Sequence, residues 1–470
     1  MNQINKMDHL ALLGLAVARL RDKPLPQEVM QCARRRVLDA LGCLVAGYHT
    51  EVADTIRSYV AAQGGRAEAT LLPEGSRTTA ALVCLAHATY TFGLELSDAA
   101  PRGTVHPGNK VVPAALALAE RENSSGADLL AAVVAGYEIE TRIGRALFQS
   151  AFYRGWWTPG VFGGIGPAMV AGYLCKLDAM ALDNTIGIVI NLLPTAASRV
   201  NDEGASVKSL IGGQACATGI LAAEMARRGT KGLRDIATGW LPLLADETYP
   251  ERLTEGISPD GRFLQWEMLS GILTKFDATV GPLAAALDAI FELLAQHEFT
   301  ADEVASIHVD CTRRTSTFNT RHPRNEITAR ASLSYCLAIA VCTRDRSQLM
   351  GAGFSREMLT DKTVWATAEK VSVKVNQDYD DRYPAQSLAR VTITLKDGRS
   401  FSREEDRNAR PRYLNPTDQD IEGKFRMIAT AVLGQEKTDN VVSLVSRLET
   451  LPDIHALVES LKTGARASCR

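Results

Sequence analysis

The hydrophobic pattern of the chain changes near residue 270, and this change constrains the fold more than any other feature. Before it, segments such as PQEVMQCARRRVLDALGCLVAGY and GADLLAAVVAGYEIETRIGRALF repeat apolar residues with a helical period, separated by Gly and Pro. After it, EVASIHVDC, EKVSVKVN and LARVTITLKDGRSFSRE alternate apolar and polar residues, as half-buried strands do, with KDGR as a hairpin turn. From about Thr417 the pattern is helical again.

This order predicts a mostly α protein with a smaller α+β domain. We expect residues 1–270 and 409–460 to form a large all-helical domain and residues 271–408 to form the α+β domain. The tail KTGARASCR is predicted to be frayed. Small-molecule sites favour clefts between domains, so the boundary near residue 270 is the expected place for a site.

Composition excludes several classes of function. The 470 residues carry a net charge of −2, which gives no basic surface for nucleic acid. No apolar stretch is long enough to span a bilayer, and the N-terminal segment lacks the features of a signal peptide. The nine cysteines are scattered without a C-x-x-C pair, which indicates reduced thiols in a cytoplasmic protein. Phosphate-loop, nucleophile-elbow and metal-ligand spacings are absent as well, so we expect no metal.

One segment of residues 96–120, LSDAAPRGTVHPGNKVVPAALALAE, begins as a polar loop and ends as an apolar helix. We expect the helix over Val111–Glu120, with Pro113 near its start, where the first helical turn tolerates proline. The Pro and Gly residues before it favour a stiff loop. The helix N-terminus at the end of this loop would favour an anion.

Three side chains of this loop suggest chemistry. His106 is the one group there that can move a proton near neutral pH, and Arg102 offers a planar fork for a carboxylate. Asp98 could orient the imidazole, act as a second acid–base group, or simply cap a turn. The loop therefore predicts a site that binds carboxylates and moves protons, with a plain polar connector as the alternative.

Several segments together resemble the MmgE/PrpD family in order and spacing over nearly the whole chain. They include RRRVLDALGCLVAG, HPGNKVVPAALALAE, SVKSLIGGQACATGILAAEMARRG and KFDATVGPLAAALDAI. The resemblance implies a large all-α domain with a smaller α+β domain, a homodimer formed through the helical part, and an active site between the domains. It also implies small polycarboxylate substrates and no cofactor.

The resemblance carries functional residues over unevenly. The histidine of the family's HPG motif falls on His106, and the acidic D-F-D-D-T motif becomes ELSDA, which places Glu95 and Asp98 on its first and last acids. Two family lysines match Lys208 and Lys275. The resemblance implies that His106, Asp98, Lys208 and Lys275 are catalytic. Lys208 also lies near a predicted helix start, which the helix dipole disfavours, so a functional reason is favoured over a surface role.

The chain departs from the family pattern at two histidines. Trp157 in GWWTPG and Ala284 stand where many members carry histidine. Trp157 is expected either to wall the pocket or simply to pack in the core. Arg321 lies near a position where members have a segment that contacts substrate, so it is a candidate carboxylate ligand together with Arg102, and a solvated surface is the alternative.

These residues indicate an enzyme that takes or gives a carbon-bound proton beside a carboxylate and stabilises the resulting anion. Dehydration of the 2-methylcitrate type is the first expectation. Epimerisation of an iminodisuccinate-type dicarboxylate follows closely, because two histidines are missing. Decarboxylation of the cis-aconitate type is third, and a non-catalytic dimeric ligand-binding member remains the alternative from another class.

Overall fold

The computed structural model describes residues 8–463. The predicted fraying of the tail falls mostly on residues 464–470, outside this range. Within it, the protein is mostly helical with one four-stranded sheet, so the predicted fold class is confirmed. The proposed division at residues 270 and 409 stays a prediction.

Helices of ten residues or more form the frame of the molecule. Polar side chains start several of them: Ser125 accepts a hydrogen bond from the backbone of Asp128, and Thr417 forms a capping box with Asp420. The long helices are α1 His9–Arg19, α2 Gln27–Gly47, α3 Glu51–Gln63, α4 Ala80–Gly93, α5 Gly108–Arg121, α6 Gly126–Ala146, α7 Ile165–Leu174, α8 Ala179–Leu192, α9 Val207–Arg227, α10 Ala284–Gln296, α11 Leu333–Thr343, α12 Asp418–Leu433 and α13 Gln435–Ser446.

Shorter α-helices connect the long ones. They are Ser150–Tyr153, Thr158–Val161, Val200–Glu203, Ile236–Gly239, Leu241–Leu244, Glu267–Ser270, Arg313–Ser316, Glu326–Arg330, Lys362–Ala368, Gln377–Arg382, Pro411–Leu414 and His455–Ser460. None of the helices between residues 8 and 463 is both long and apolar enough to cross a membrane.

The strands confirm the alternating segments of the sequence. They are β1 Ala69–Leu71, β2 Ser76–Thr78, β3 Val304–Cys311, β4 Val371–Val375, β5 Leu388–Leu395 and β6 Ser400–Asp406. The larger sheet has the order β4-β3-β5-β6, in which β3 pairs with β4 in parallel and with β5 antiparallel. The predicted KDGR hairpin joins β5 to β6, and α10 packs on these two strands.

Two details differ from the sequence-based expectation. The helical part is not entirely helical, because β1 and β2 form a small antiparallel ribbon. In addition, α5 begins at Gly108 rather than Val111, so Pro113 lies inside the helix and not in its first turn. The earlier start has a physical cause, since Asp98 accepts a hydrogen bond from the backbone N–H of Gly108.

The protein has two large hydrophobic cores, and they correspond broadly to the segments before and after the change of hydrophobic pattern near residue 270. The first is built from α1, α2 and α4 to α9 together with the C-terminal helices, because α12 packs along α2. The second surrounds the larger sheet with α10 and α11. Leu96, which precedes Asp98, is buried in the second core although it follows α4, so the polar loop lies where the two cores meet.

Candidate active site

A cleft with an empty volume of about 640 Å³, part of it open to solvent, lies where the two cores meet. Glu95, His106 and Trp157 line it from the helical part. Residues from the part of the chain that holds the larger sheet, which we call the second part, close the other side. They include Pro282, Arg314, Phe318, Tyr383 and Arg407. The cleft therefore brings together titratable side chains from segments that lie far apart in the sequence.

His106 is held in one tautomer. Its Nδ1 lies 2.8 Å from the backbone oxygen of Asp98, and a carbonyl only accepts, so Nδ1 carries the proton and donates it. The Nε2 lone pair is left for the cleft. Burial, followed by the charge of Lys275, lowers the pKa of His106 to about 3. The imidazole is thus neutral and able to accept a proton at Nε2.

The carboxyl group of Asp98 performs a different task from the one expected of a second acid–base group. It is buried, with Oδ1 2.9 Å from the backbone N of Gly108 and Oδ2 2.6 Å from the Tyr137 hydroxyl. Burial raises the pKa of Asp98. The helix N-terminus expected to hold an anion is therefore occupied by the chain's own carboxyl group, and Asp98 orients His106 through its backbone carbonyl.

Gly108 is required by this packing. A Cβ atom at Gly108 would lie 2.6 Å from Asp98 Oδ1 and 2.7 Å from the Tyr137 hydroxyl oxygen. Both distances are shorter than any side chain tolerates, so a larger residue would displace the Asp98 cap. Gly108 therefore leaves room for Asp98, and the Asp98 carbonyl in turn holds His106 in place.

Glu95 connects the two predicted lysines. Its Oε1 lies 2.6 Å from Lys208 Nζ and its Oε2 lies 3.7 Å from Lys275 Nζ. All three side chains are buried. Glu95 has a backbone φ of 55°, a left-handed conformation that is unfavourable for a side chain with a Cβ and that clusters at functional sites. Neither lysine lines the cleft directly, and both reach it through Glu95.

The pKa values of this group follow from burial and charge. Burial alone would raise the pKa of Glu95, but the ammonium groups of Lys208 and Lys275 outweigh it and lower the value to about 2. Burial lowers the pKa of Lys275 to about 8, assisted by the charge of Lys208 and opposed by Glu95. At neutral pH the group holds one carboxylate and two ammonium groups, so it favours an anion, and Lys275 can donate a proton.

Backbone contacts join the histidine and lysine segments. Ala99 and Leu273 form an antiparallel bridge, with N···O distances of 2.9 and 2.6 Å. Buried Arg36 donates to the Ile272 carbonyl at 3.3 Å and to Thr274 Oγ1 at 2.7 Å, directly before Lys275. The backbone bridge and the buried Arg36 side chain together fix the separation of the His106 and Lys275 segments.

Two buried lysines hold the polar loop from behind. Lys110 Nζ donates to the His106 carbonyl at 2.7 Å and lies 3.2 Å from Glu140. Lys424 Nζ donates to the Leu96 carbonyl at 2.9 Å and pairs with Asp39 at 2.5 Å. Burial raises the pKa of Glu140 to about 7, although Lys110 opposes this. Both ends of the loop are therefore anchored by charge-assisted hydrogen bonds.

Trp157 both lines the cleft and packs into the first hydrophobic core, so the structure places it in both expected roles without testing a substrate contact. Its side chain is 6% exposed, and Lys208 Nζ lies 5.3 Å from the ring centroid. The ring thereby contributes a cation–π contact to an already crowded cationic group. Its indole N–H has no hydrogen-bond partner among residues 8–463. Ala284, at the other departure from the family pattern, is buried against Leu273 and Tyr413.

The structure does not bring the two predicted arginines to the cleft. Arg102 is exposed at the tip of a turn that the Ala100–Val105 bridge closes, and this geometry directs it outward. Arg321 is also exposed. Its neighbour His322 pairs with Glu369 at 2.8 Å on the surface.

Two other arginines line the cleft, and sequence reasoning missed both. Arg314 follows β3, and Arg407 follows β6 directly. Because β3 and β6 are each antiparallel to β5, they run in the same direction and end at the same edge of the sheet. Neither residue lies in a recognisable motif. A correct prediction of how β3, β5 and β6 pair would have indicated that both arginines lie at one end of the sheet.

The described residues contain no group of three or more His, Cys, Asp or Glu side chains placed to hold a metal ion. The cleft instead combines a neutral imidazole, guanidinium groups and the Glu95 carboxylate, which pairs with the two lysine ammonium groups behind it. Such a set fits proton transfer on a small molecule that carries several carboxylates.

Comparison with known proteins agrees with this class of site. The MmgE/PrpD N-terminal domain matches residues 13–246, and the MmgE/PrpD C-terminal domain matches residues 280–450. The chain belongs to the MmgE/PrpD family.

Curated relatives match over nearly their full length at low identity. A cis-aconitate decarboxylase-like protein, oryM, of Aspergillus oryzae is 23% identical, over 94% of this chain and 95% of its own. The cis-aconitate decarboxylase of Aspergillus terreus is 22% identical over 94% of both chains. That of Homo sapiens is 24% identical over 96% of this chain and 93% of its own.

Proposed function

We propose that the protein is a lyase that acts on a small di- or tricarboxylate by moving a proton beside a carboxylate. The observation that carries the proposal is the meeting of two groups at one cleft: the neutral His106 with a free Nε2, and Glu95 bound to Lys208 and Lys275. The excess cationic charge suits a multiply ionised acid, and the two groups supply a proton acceptor and a proton donor.

Decarboxylation is the first candidate reaction. The bond between the carbon and its carboxylate breaks, CO₂ leaves, and the electron pair that remains on carbon takes a proton that the Lys275 ammonium group supplies through Glu95, the member of the group that lines the cleft. One proton donor is sufficient for this step, which suits a site with Trp157 and Ala284 at the two positions of family histidines. The relatives named cis-aconitate decarboxylases support the same reaction class.

Dehydration is the second candidate, and a specific observation favours it. The free Nε2 of neutral His106 is suited to take a proton from carbon, and Lys275 can supply, through Glu95, the proton with which the departing hydroxyl group leaves as water. Epimerisation remains a prediction as well, in which one of these groups removes the carbon-bound proton and the other returns a proton to the opposite face.

One experiment separates these reactions. The protein is incubated in deuterated water with cis-aconitate, 2-methylcitrate and a chiral dicarboxylate, and gas release, ultraviolet absorbance and deuterium content are measured. CO₂ release with one deuterium in the product supports decarboxylation. A new unsaturated product without gas supports dehydration. Deuterium in recovered substrate of scrambled configuration supports epimerisation.

Besides epimerisation, which would make the protein an isomerase, two results would contradict the lyase proposal. An acid that raises the melting temperature but shows no turnover and no deuterium exchange would indicate a ligand-binding member of the family. Failure of every polycarboxylate either to bind or to react would remove small polycarboxylates as the substrate class.

A further inference from the structure

Arg314 lines the cleft without a carboxylate partner. The carbon at the centre of its guanidinium lies 3.2 Å from the Phe152 ring centroid and 5.6 Å from that of Phe318. Among residues 8–463, none accepts a hydrogen bond or forms an ion pair with this guanidinium. Burial lowers the pKa of Arg314. The guanidinium group is therefore half-buried, positioned by aromatic rings, and not neutralised by the protein.

Arg407 also lines the cleft without a carboxylate partner among the described residues. Its side chain is 3% exposed, and its described hydrogen-bond acceptors are neutral: Asn408 Oδ1 at 3.0 and 3.2 Å and the Gly281 carbonyl at 3.4 Å. Tyr383 lines the cleft together with Arg314 and Arg407, so its hydroxyl is a further hydrogen-bond donor for a ligand there.

A cation taken out of water without an anion is costly, whereas a bound carboxylate would supply the missing charge. The planar fork of a guanidinium matches the two oxygens of a carboxylate. Both arginines face a cleft whose other side carries Glu95 and His106. A ligand that bridges the cleft would present a reacting carbon to His106 and a second carboxylate to the arginines.

We propose that Arg314 and Arg407, with the hydroxyl of Tyr383, form a subsite for a substrate carboxylate remote from the reacting carbon. The inference rests on the proposed function and deepens it, because it selects substrates with at least two carboxylates. A monocarboxylate, or a polycarboxylate with its remote carboxylate converted to an amide, lacks the group that the subsite neutralises.

Binding of an inert probe tests the subsite apart from catalysis. The probe is propane-1,2,3-tricarboxylate, which has no leaving group, and its terminal monoamide serves for comparison; both are titrated calorimetrically into the wild type and into Arg314→Gln and Arg407→Gln. The control is Arg313→Gln, because the adjacent Arg313 is exposed and does not line the cleft. Each variant's fold is checked by its melting temperature and by circular dichroism.

We expect each cleft variant to bind the triacid about 10- to 100-fold more weakly, because a charge-assisted hydrogen bond is lost. The preference of the wild type for the triacid over the monoamide should largely disappear in both variants and persist in Arg313→Gln. If Arg407→Gln does not fold, Arg407→Lys keeps the charge but not the fork, and it should lose part of the same preference.

The possible failures are distinguishable. Unchanged affinity and preference in Arg314→Gln and Arg407→Gln, with a wild type that binds the probe and turns over an acid, would overturn the subsite and leave the lyase proposal standing. Loss of binding in both variants, with a wild type that turns over no acid, would support the subsite and contradict the lyase proposal. A wild type that binds neither the triacid nor any dicarboxylate, and turns over no acid, would overturn both.

Discussion

Arginines of the second part of the molecule occupy two contrasting environments. In the first, which we name the Asp288 network, the buried Asp288 accepts hydrogen bonds from the Tyr413 hydroxyl and pairs with Arg346 at 2.7 Å, Arg412 at 2.9 Å and Arg410 at 3.4 Å. In the second, Arg314 and Arg407 line the cleft, and no carboxylate among the described residues pairs with them.

The contrast indicates what each set of charges does. Carboxylates of the protein itself neutralise the arginines of the Asp288 network, so these ion pairs stabilise the fold. The cleft arginines keep their charge available for a ligand. We therefore expect substitutions in the network to reduce stability and leave chemistry intact, and substitutions at the cleft to do the reverse.

The largest effect on stability is expected from Asp288→Ala. The change leaves Arg412 and the Tyr413 hydroxyl without a carboxylate partner. Arg346 keeps Asp277, and Arg410 keeps Glu292 and Glu405. The cost should therefore lie at the lower end of the range for a broken buried ion pair, about 3 kcal/mol. Urea denaturation monitored by circular dichroism measures the loss. The rate per folded molecule should remain near that of the wild type.

The matched control is Glu298→Ala in the same part of the chain. Glu298 is almost fully exposed and lies 3.7 Å from Arg344, so its ion pair is screened by water. Its stability should stay within about 0.5 kcal/mol of the wild type. Equal effects of the two substitutions would show that the Asp288 network does not hold the fold.

His106→Ala should have the largest effect on activity. Loss of a positioned proton-transfer group lowers kcat by a factor of about 10² to 10⁴. Stability should change by only about 1 kcal/mol, because one hydrogen bond to the Asp98 carbonyl is lost. His322→Ala is the control and should keep full activity, because His322 is exposed outside the cleft with its Nε2 2.8 Å from Glu369. An active His106→Ala variant would remove His106 from the mechanism.

Glu95 combines the features of the two environments, because it forms ion pairs within the protein and also lines the cleft. Its substitution should therefore affect both stability and activity. Glu95→Gln should lower stability by about 1 to 3 kcal/mol and also change the pH dependence of the rate. Glu95 raises the pKa of Lys275, so its neutralisation should lower that pKa below about 8. A proton donor must be protonated, so activity is lost as pH rises through this pKa, and the loss should move to lower pH.

Rate measurements from about pH 6 to pH 10 would show the shift. Glu203→Gln is the control, since its ion pair with Arg199 is exposed and should influence neither stability nor the rate. An alkaline limb at the same pH in the wild type and in Glu95→Gln would mean that Lys275 is not the proton donor.

The sequence was sufficient for the fold class and for much of the candidate site. Hydrophobic periodicity is a local property, so it predicted the long helices and the strands of the larger sheet. It did not predict that Asp98 acts on His106 through its backbone carbonyl, that Arg102 points outward, or that Arg314 and Arg407 reach the cleft. Those facts depend on strand order and on which charges find partners, and both are set by contacts between distant segments.

The smallest predicted effect concerns His87, a second neutral histidine, which lies in α4 away from the cleft. Its Nε2 accepts a hydrogen bond from the Leu72 backbone at 2.8 Å, and burial lowers the pKa of His87 to about 3. The unfolded chain binds a proton below about pH 6.5, so stability contributed by neutral His87 is lost as pH falls from about 6.5 toward 3. Near pH 5 this loss amounts to about 2 kcal/mol. His87→Gln keeps an acceptor but cannot titrate, so its stability should fall less between pH 7 and pH 5 in urea denaturation, by that amount. Equal losses in both proteins would show that His87 is protonated in the folded state.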